Sequence, residues 1–253
     1  MSTVIRIDPP NPEATRLWRK TLELATAFGI EEGWSLVGGL MVQLHAYERS
    51  HGSRLTADID LLGDSRLRPA MTRRMAEALV ERGGRMEMPP ASDERLGYRF
   101  EVDGAVVEIL GSDGVRRDPK TLGMHTTIQV PGGSQALART EVVSVSLAGA
   151  PPVALRRPNL LGAILIKARV VAKQRRDKFE SDRQDLILLL SFVEDPRALA
   201  TGLRKSERRW LLKIEPLLPF DDAALADRFA EAELSAAQLA YRLLVAPGGR
   251  TAN

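Results

Sequence analysis

The chain has 253 residues, 44% hydrophobic and 27% charged. This ordinary globular composition excludes a fibre or a disordered polymer and allows one large domain or two modest ones. It contains no cysteine, which excludes disulfides, cysteine-ligated zinc and thiol nucleophiles and fits a cytoplasmic location. No apolar run approaches the roughly 18 residues of a membrane span, and MSTVIRIDPP lacks the pattern of a signal peptide, so the expectation is a soluble protein with no membrane partner. The net charge of +3 is small but uneven: residues 151–220 carry 15 Lys/Arg against 8 Asp/Glu, a net of +7. Such a stretch suits a polyanionic partner or a solvated helical face.

Asn11-Pro12 reads as an N-cap followed by proline in the first turn, and Leu17, Trp18, Leu22, Ala25 and Phe28 recur at helical spacing. A helix over 12–28 is predicted. Trp34 to Val37 is a short buried strand, and Gly38-Gly39 ends it and opens a helix. After a polar loop at 50–53, residues 56–62 form a second strand with Asp58 and Asp60 on one side and Ile59 and Leu61 on the other. Residues 69–82 form a further helix stopped by Gly83-Gly84. Residues 98–102 and 105–110 are strands joined by Asp103-Gly104, a strong hairpin signal of the primed-turn type. Within the second, Glu108 shares a face with Val106 and Leu110.

Residues 126–130, 141–147 and 153–155 are further strand candidates, with a turn at Pro131-Gly132-Gly133. After Arg157-Pro158 helical patterns dominate, over about 159–174, 181–192, 195–215 with breaks, and 221–244; the tail from Pro247 is expected to fray. The plan is an α/β (α+β) first domain, residues 1–157, followed by an α-helical domain, residues 158–253.

Asp58 and Asp60 form a carboxylate pair at i and i+2 of a strand, and Glu108 joins them if its strand lies alongside. Three such acids suit two Mg²⁺ ions (Mn²⁺ being the alternative), because Mg²⁺ takes oxygen ligands and two ions can stabilise both the attacking and the leaving oxygen of an in-line phosphoryl displacement. The plainer reading is a pair of exposed acids on an edge strand and a surface glutamate. Gly38 and Gly39 could bring backbone N–H groups close to a phosphate at a helix N-terminus. Lys167 shares one helical stripe with Leu160, Ile164 and Val171, so it must snorkel or meet an anion, either a triphosphate or Asp182 and Asp185. Those two aspartates are neighbours on a helix whose N-terminus they would also favour electrostatically. His45, His51 and His125 lack metal-ligand spacing and read as packing or surface residues.

Val37-Gly38-Gly39, a helix, then Asp58-Ile59-Asp60-Leu61 resembles the signature of the DNA polymerase β-like nucleotidyltransferase superfamily. Within it, LVGGLMVQLH and TADIDLL look most like the AbiEii-class nucleotidyltransferase toxins of toxin–antitoxin and phage-defence systems; Lys167 and the Asp182-Arg183-Gln184-Asp185-Leu186 run extend the match. The resemblance implies a polymerase β-like mixed-sheet domain that transfers NMP from an NTP to an acceptor hydroxyl, RNA and in particular a tRNA 3′ end, with a cognate antitoxin protein as partner. It implies metal ligation by Asp58, Asp60 and Glu108, nucleotide binding by Gly38, Gly39, Lys167 and Asp182, and catalytic roles for Asp58, Asp60, Glu108, Lys167 and Asp185. Leu40 follows the glycines where many relatives have a hydroxyl, which leaves phosphate binding to backbone N–H groups, and Ser181 stands where the class has lysine. Two alternatives remain open: a non-catalytic nucleotide- or RNA-binding regulator, and a small-molecule (antibiotic) nucleotidyltransferase.

Overall fold

The computed structural model describes residues 4–31, 33–89, 92–173 and 178–246. The chain divides into two compact units, residues 1–166 and 167–253. In the first unit, strand β1 (Val4–Ile7) leads into helix α1 (Pro12–Phe28). The Asn11 side chain accepts from the Ala14 amide at 2.8 Å, satisfying one of the N–H groups that a first turn leaves without a partner. The inner face of α1 buries Leu17, Trp18, Leu22 and Ala25, and the Trp18 indole donates to Gln43 Oε1 at 3.0 Å. A buried indole with its one donor satisfied is worth about 3–5 kcal/mol against alanine.

Strand β2 (Trp34–Val37) runs directly into helix α2 (Gly38–Glu48), which is buried from Gly39 to Ala46 on every side. The single apolar face expected of a surface helix is therefore absent, because α2 lies inside the unit. Strand β3 (Asp58–Gly63) and helix α3 (Met71–Val80) follow, then β4 (Arg85–Met86), β5 (Arg99–Val102), β6 (Ala105–Ser112) and β7 (Gln129–Val130). They form a mixed sheet in the order β2-β3-β6-β5-β4, with β7 paired to the end of β6. Strand β3 is antiparallel to β2 and parallel to β6. A short helix α4 (Gly133–Leu137) precedes β8 (Thr140–Leu147) and β9 (Val153–Pro158), which with β1 make a second, three-stranded sheet in the order β1-β8-β9.

The strand expected over 126–130 shrinks to Gln129–Val130, with Thr126 reduced to isolated bridges to Leu96 and Lys120. Strand β1, the two-residue β4 and helix α4 carry too few residues for a periodicity to show. Helix α4 begins at the Gly132-Gly133 step read as a turn, held by the Asp113 carboxylate, which accepts from the Gly132 and Ser134 amides at 2.8 and 2.9 Å.

Helix α5 (Leu160–Val171) contains the divide between the units. In the second unit, α6 (Phe179–Ser191), α7 (Pro196–Thr201), α8 (Lys205–Lys213), a 3₁₀ turn at Glu215–Leu217, α9 (Ala223–Ala226) and α10 (Glu231–Val245) make an all-helical bundle. The helix expected over 221–244 is broken: α9 ends after one turn, and Ala230 is extended, its amide satisfied by Glu233 at 2.7 Å. Tyr241 donates its buried hydroxyl to the Leu211 carbonyl at 2.7 Å. Arg183 joins Glu180 to Asp222, tying the start of α9 to α6. Among the described residues no helix is long and apolar enough to cross a membrane. Gln174, the end of the predicted 159–174 helix, and the tail from Pro247 lie outside the described residues.

Candidate active site

Strand β3 is interior, flanked by β2 and β6, so Asp58 and Asp60 do not sit on an edge. In the parallel pairing, Asp60 is opposite Glu108 and Asp58 opposite Val106. Side chains alternate across a strand, and residues directly opposite on neighbouring strands share a face. The register therefore puts all three acids on one face, and ligand oxygens of Asp58, Asp60 and Glu108 lie within 4.8 Å of one another. Asp58 is half-buried and Glu108 buried, 6% exposed. The apolar residues of the same strands, Ile59, Leu61, Val107 and Ile109, are fully buried on the opposite face. The sheet thus holds the acids on a packed backing that cannot easily shift.

Each acid has a neighbour that fixes it. Thr56 Oγ1 donates to Asp58 Oδ1 at 2.7 Å. Gly38 has a φ of +68°, and a Cβ built there would fall 1.7 Å from Asp60 Oδ2. Only glycine suits that backbone and leaves room for the carboxylate. A Cβ on Gly39 would fall 2.7 Å from the Thr56 Cβ. The Gly-Gly step thus admits the two side chains that present the carboxylate pair. It also begins α2 beside them, where Val37 contributes no side-chain cap to the first-turn amides. Leu40 is buried, so anion contact at this helix start falls to backbone N–H groups.

Glu108 has an arginine neighbour. Arg99 Nη1 donates to Glu108 Oε1 at 3.0 Å, and Arg99 Nε donates to Glu87 Oε2 at 3.0 Å. Burial works to lower the Arg99 pKa, but Glu108 and Glu87 outweigh it and hold the guanidinium more firmly protonated than usual. Sequence reading passed over Arg99, Glu87 and the Thr56 hydroxyl. The signal for Arg99 was present: the Asp103-Gly104 turn, with φ of 51° and 72°, pairs Val102 with Ala105, and counting back along both strands sets Arg99 opposite Glu108. Glu87 follows a two-residue strand that no periodicity could announce.

The donor set is all oxygen and clusters three carboxylates. This suits a hard divalent cation, and without one the mutual repulsion of the acids is costly. Asp58, Asp60 and Glu108 therefore fit Mg²⁺ or Mn²⁺ in chemistry and in spacing.

In the second unit Lys167 meets the other anions foreseen for it: its ammonium lies 2.8 Å from Asp182 Oδ1 and 2.8 Å from Asp185 Oδ2. All three side chains are nearly inaccessible. Burial alone would lower the lysine pKa; Asp185 first and then Asp182 outweigh it and raise it. Ser181 donates its hydroxyl to the Lys178 carbonyl at 3.0 Å.

No family model matches the chain, and no curated protein does. Among solved structures, it is similar to ANT(2″)-Ia in complex with adenylyl-2″-tobramycin, at 15% identity over 70% of this chain and 87% of that one, with a TM-score of 0.41. It is also similar to an antigenic nucleotidyltransferase-like protein from Paracoccidioides brasiliensis, at 12% identity, 88% and 93% coverage and a TM-score of 0.47. The solution structure of the antibiotic-resistance factor ANT(2″)-Ia matches at 16% identity, 85% and 92% coverage and a TM-score of 0.36. A functional reading of this chain rests on its own geometry.

Proposed function

We propose that the protein is a Mg²⁺-dependent nucleotidyltransferase that moves a nucleoside monophosphate from an NTP to an acceptor hydroxyl. The observation that carries this reading is the convergence of Asp58, Asp60 and Glu108 ligand oxygens within 4.8 Å on one rigid sheet face. When bound there, divalent ions supply Lewis-acid stabilisation of the charge that develops on the phosphoryl oxygens. The chain does the positioning. Asp58, oriented by Thr56, and Asp60, admitted by Gly38, hold the pair of ligands. The first-turn amides beginning at Gly38 and Gly39 are donors suited to triphosphate oxygens. Glu108, next to both, is the acid suited to orient or deprotonate the acceptor hydroxyl.

The finer reading takes RNA, and a tRNA 3′ end in particular, as acceptor, with the activity serving as the toxin of a toxin–antitoxin or phage-defence pair. Its supports are the resemblance of the Gly-Gly and Asp-x-Asp motifs and the basic 151–220 stretch.

The test is label transfer from each α-labelled NTP with Mg²⁺ to tRNA, to total protein or to aminoglycosides. Transfer to tRNA that disappears in Asp58→Ala and Asp60→Ala supports both levels of the reading. Transfer to another acceptor, equally sensitive to those substitutions, keeps the enzyme and replaces the acceptor. Nucleotide binding with no transfer to any acceptor would replace the enzyme with a binding regulator.

A further inference from the structure

Arg99 bridges two glutamates of unequal exposure. Glu108, the third acid of the site, has a side chain 7% exposed, whereas Glu87 is 40% exposed at the sheet edge, and Arg99 lies 3.0 Å from each. The three occupy strand β6, strand β5 and the residue following β4, so a single guanidinium spans from the acid cluster to the rim of the sheet. We infer that Arg99 is a positioning residue that stands in for part of the metal charge at Glu108, and that Glu87 is the acceptor that holds Arg99 when a divalent cation takes its place. This inference rests on the nucleotidyltransferase reading of the acid site.

The physical argument has three steps. Three clustered carboxylates repel one another, and one cation at Glu108 relieves part of that repulsion in the metal-free protein. A divalent cation that ligates Glu108 must compete with this arginine for the same oxygen lone pairs. The Arg99 side chain is 39% exposed and already bonded to Glu87, so releasing Glu108 leaves the guanidinium with a partner and does not strand a buried charge. Metal affinity without nucleotide is thereby held down, and the pull of Glu87 on Arg99 sets how far.

The test is Mn²⁺ binding to the full-length protein without nucleotide, read by the EPR signal of free Mn²⁺, in wild type, Arg99→Gln, Arg99→Lys, Glu87→Gln and the Arg99→Gln/Glu87→Gln double variant. Removing a competing charge-assisted bond should tighten Mn²⁺ binding in Arg99→Gln by about fivefold, and removing Glu87 should weaken it by about threefold. Arg99→Lys keeps the charge and should stay near wild type. The decisive comparison is the double variant. If Glu87 acts through Arg99, the Glu87 substitution has no effect once Arg99 is gone, whereas two charges acting only by their separate fields give additive effects. Additivity, or no change in Arg99→Gln, overturns the inference. Glu87 is half-exposed, so its variant keeps the question answerable if Arg99→Gln fails to fold; unchanged Mn²⁺ affinity in Glu87→Gln then overturns it. An Asp60→Asn control separates the levels: wild-type Mn²⁺ binding that survives Asp60→Asn overturns the acid-site reading itself.

Discussion

Gly38 and Asp60 fit together so closely that a single methyl group on the glycine would lie 1.7 Å from the Asp60 Oδ2. The contact is fixed by the β2–β3 pairing, which sets Val37 opposite Asp60 and so delivers the next residue onto the carboxylate. Gly38→Ala therefore meets two penalties: a left-handed backbone costing about 1–2 kcal/mol for an L-residue, and displacement of Asp60. The expected outcome is a folded protein with a lower thermal midpoint and Mn²⁺ affinity reduced by about tenfold or more, as for lesions beside metal ligands. Wild-type Mn²⁺ affinity in this variant would show that Asp60 does not depend on the glycine.

Asp58→Asn and Asp60→Asn remove one negative ligand each while keeping volume and the packed strand face. Both should leave the unfolding transition at or above that of wild type, since each relieves repulsion in the metal-free site. Nucleotidyl transfer should fall by about 100-fold or more, since even partners behind a metal ligand are worth about 10–100-fold. Differential scanning calorimetry on the same samples as the transfer assay checks both halves. A loss of activity accompanied by loss of fold would point to a structural role instead.

Lys167 is a buried cation between two carboxylates, both at 2.8 Å. Lys167→Met strands two buried acids, so a loss of about 3–5 kcal/mol is expected. Because the folded-state pKa is raised, the lysine's contribution is complete below its unfolded value of about 10.4 and is lost only as pH rises through the folded value. Urea unfolding at pH 7 and pH 9 should then show the same gap between wild type and variant. A gap that closes by pH 9 would mean the ammonium is not held as described.

His45 lies inside the first unit, with Nε2 3.1 Å from the Pro158 carbonyl oxygen. Burial first, then the Arg157 and Arg49 charges, push its pKa well below the ordinary value near 6.5. It is thus neutral in the folded protein, and Nε2 donates to the carbonyl. The sign follows from the unfolded chain, which takes up a proton near pH 6.5 that the folded protein refuses. Stability is full above that pH and falls as pH drops below it, by at most about 1.4 kcal/mol per pH unit. His45→Gln should flatten this slope in urea melts between pH 7 and pH 5. An unchanged slope would assign the acid sensitivity to other groups.

Much of the first unit was legible because its elements announce themselves locally. Asn11-Pro12 set the start of α1, Asp103-Gly104 set a hairpin, and the alternation Asp58-Ile59-Asp60-Leu61 separated an acid face from a buried face. The convergence of Glu108 with the pair needed β6 to lie beside β3, a long-range pairing that no local pattern encodes; it stood as a condition in the sequence, and β6 does pair with β3. The parts that escaped were those whose meaning is supplied by neighbours. The helix opening at Gly38 was expected, but that its neighbours surround it on every side was not. Arg99 drew no reading of its own, because its place opposite Glu108 emerges only when the register is counted. Lys167 had two candidate anions in sequence, and burial beside Asp182 and Asp185 shows that these two are within its reach.

The primed turn at Asp103-Gly104 makes chain length part of the chemistry. Its two residues fix which side chain of β5 stands opposite Glu108, and alternation along a strand is strict. One residue inserted in that turn would carry Arg99 to the far side of the sheet and bring the apolar ring of Phe100 or the phenol of Tyr98 toward its place, with every acid left untouched. A change in the length of this loop, more than forty positions away from either aspartate in sequence, is thus equivalent to rewriting the electrostatics around the third acid.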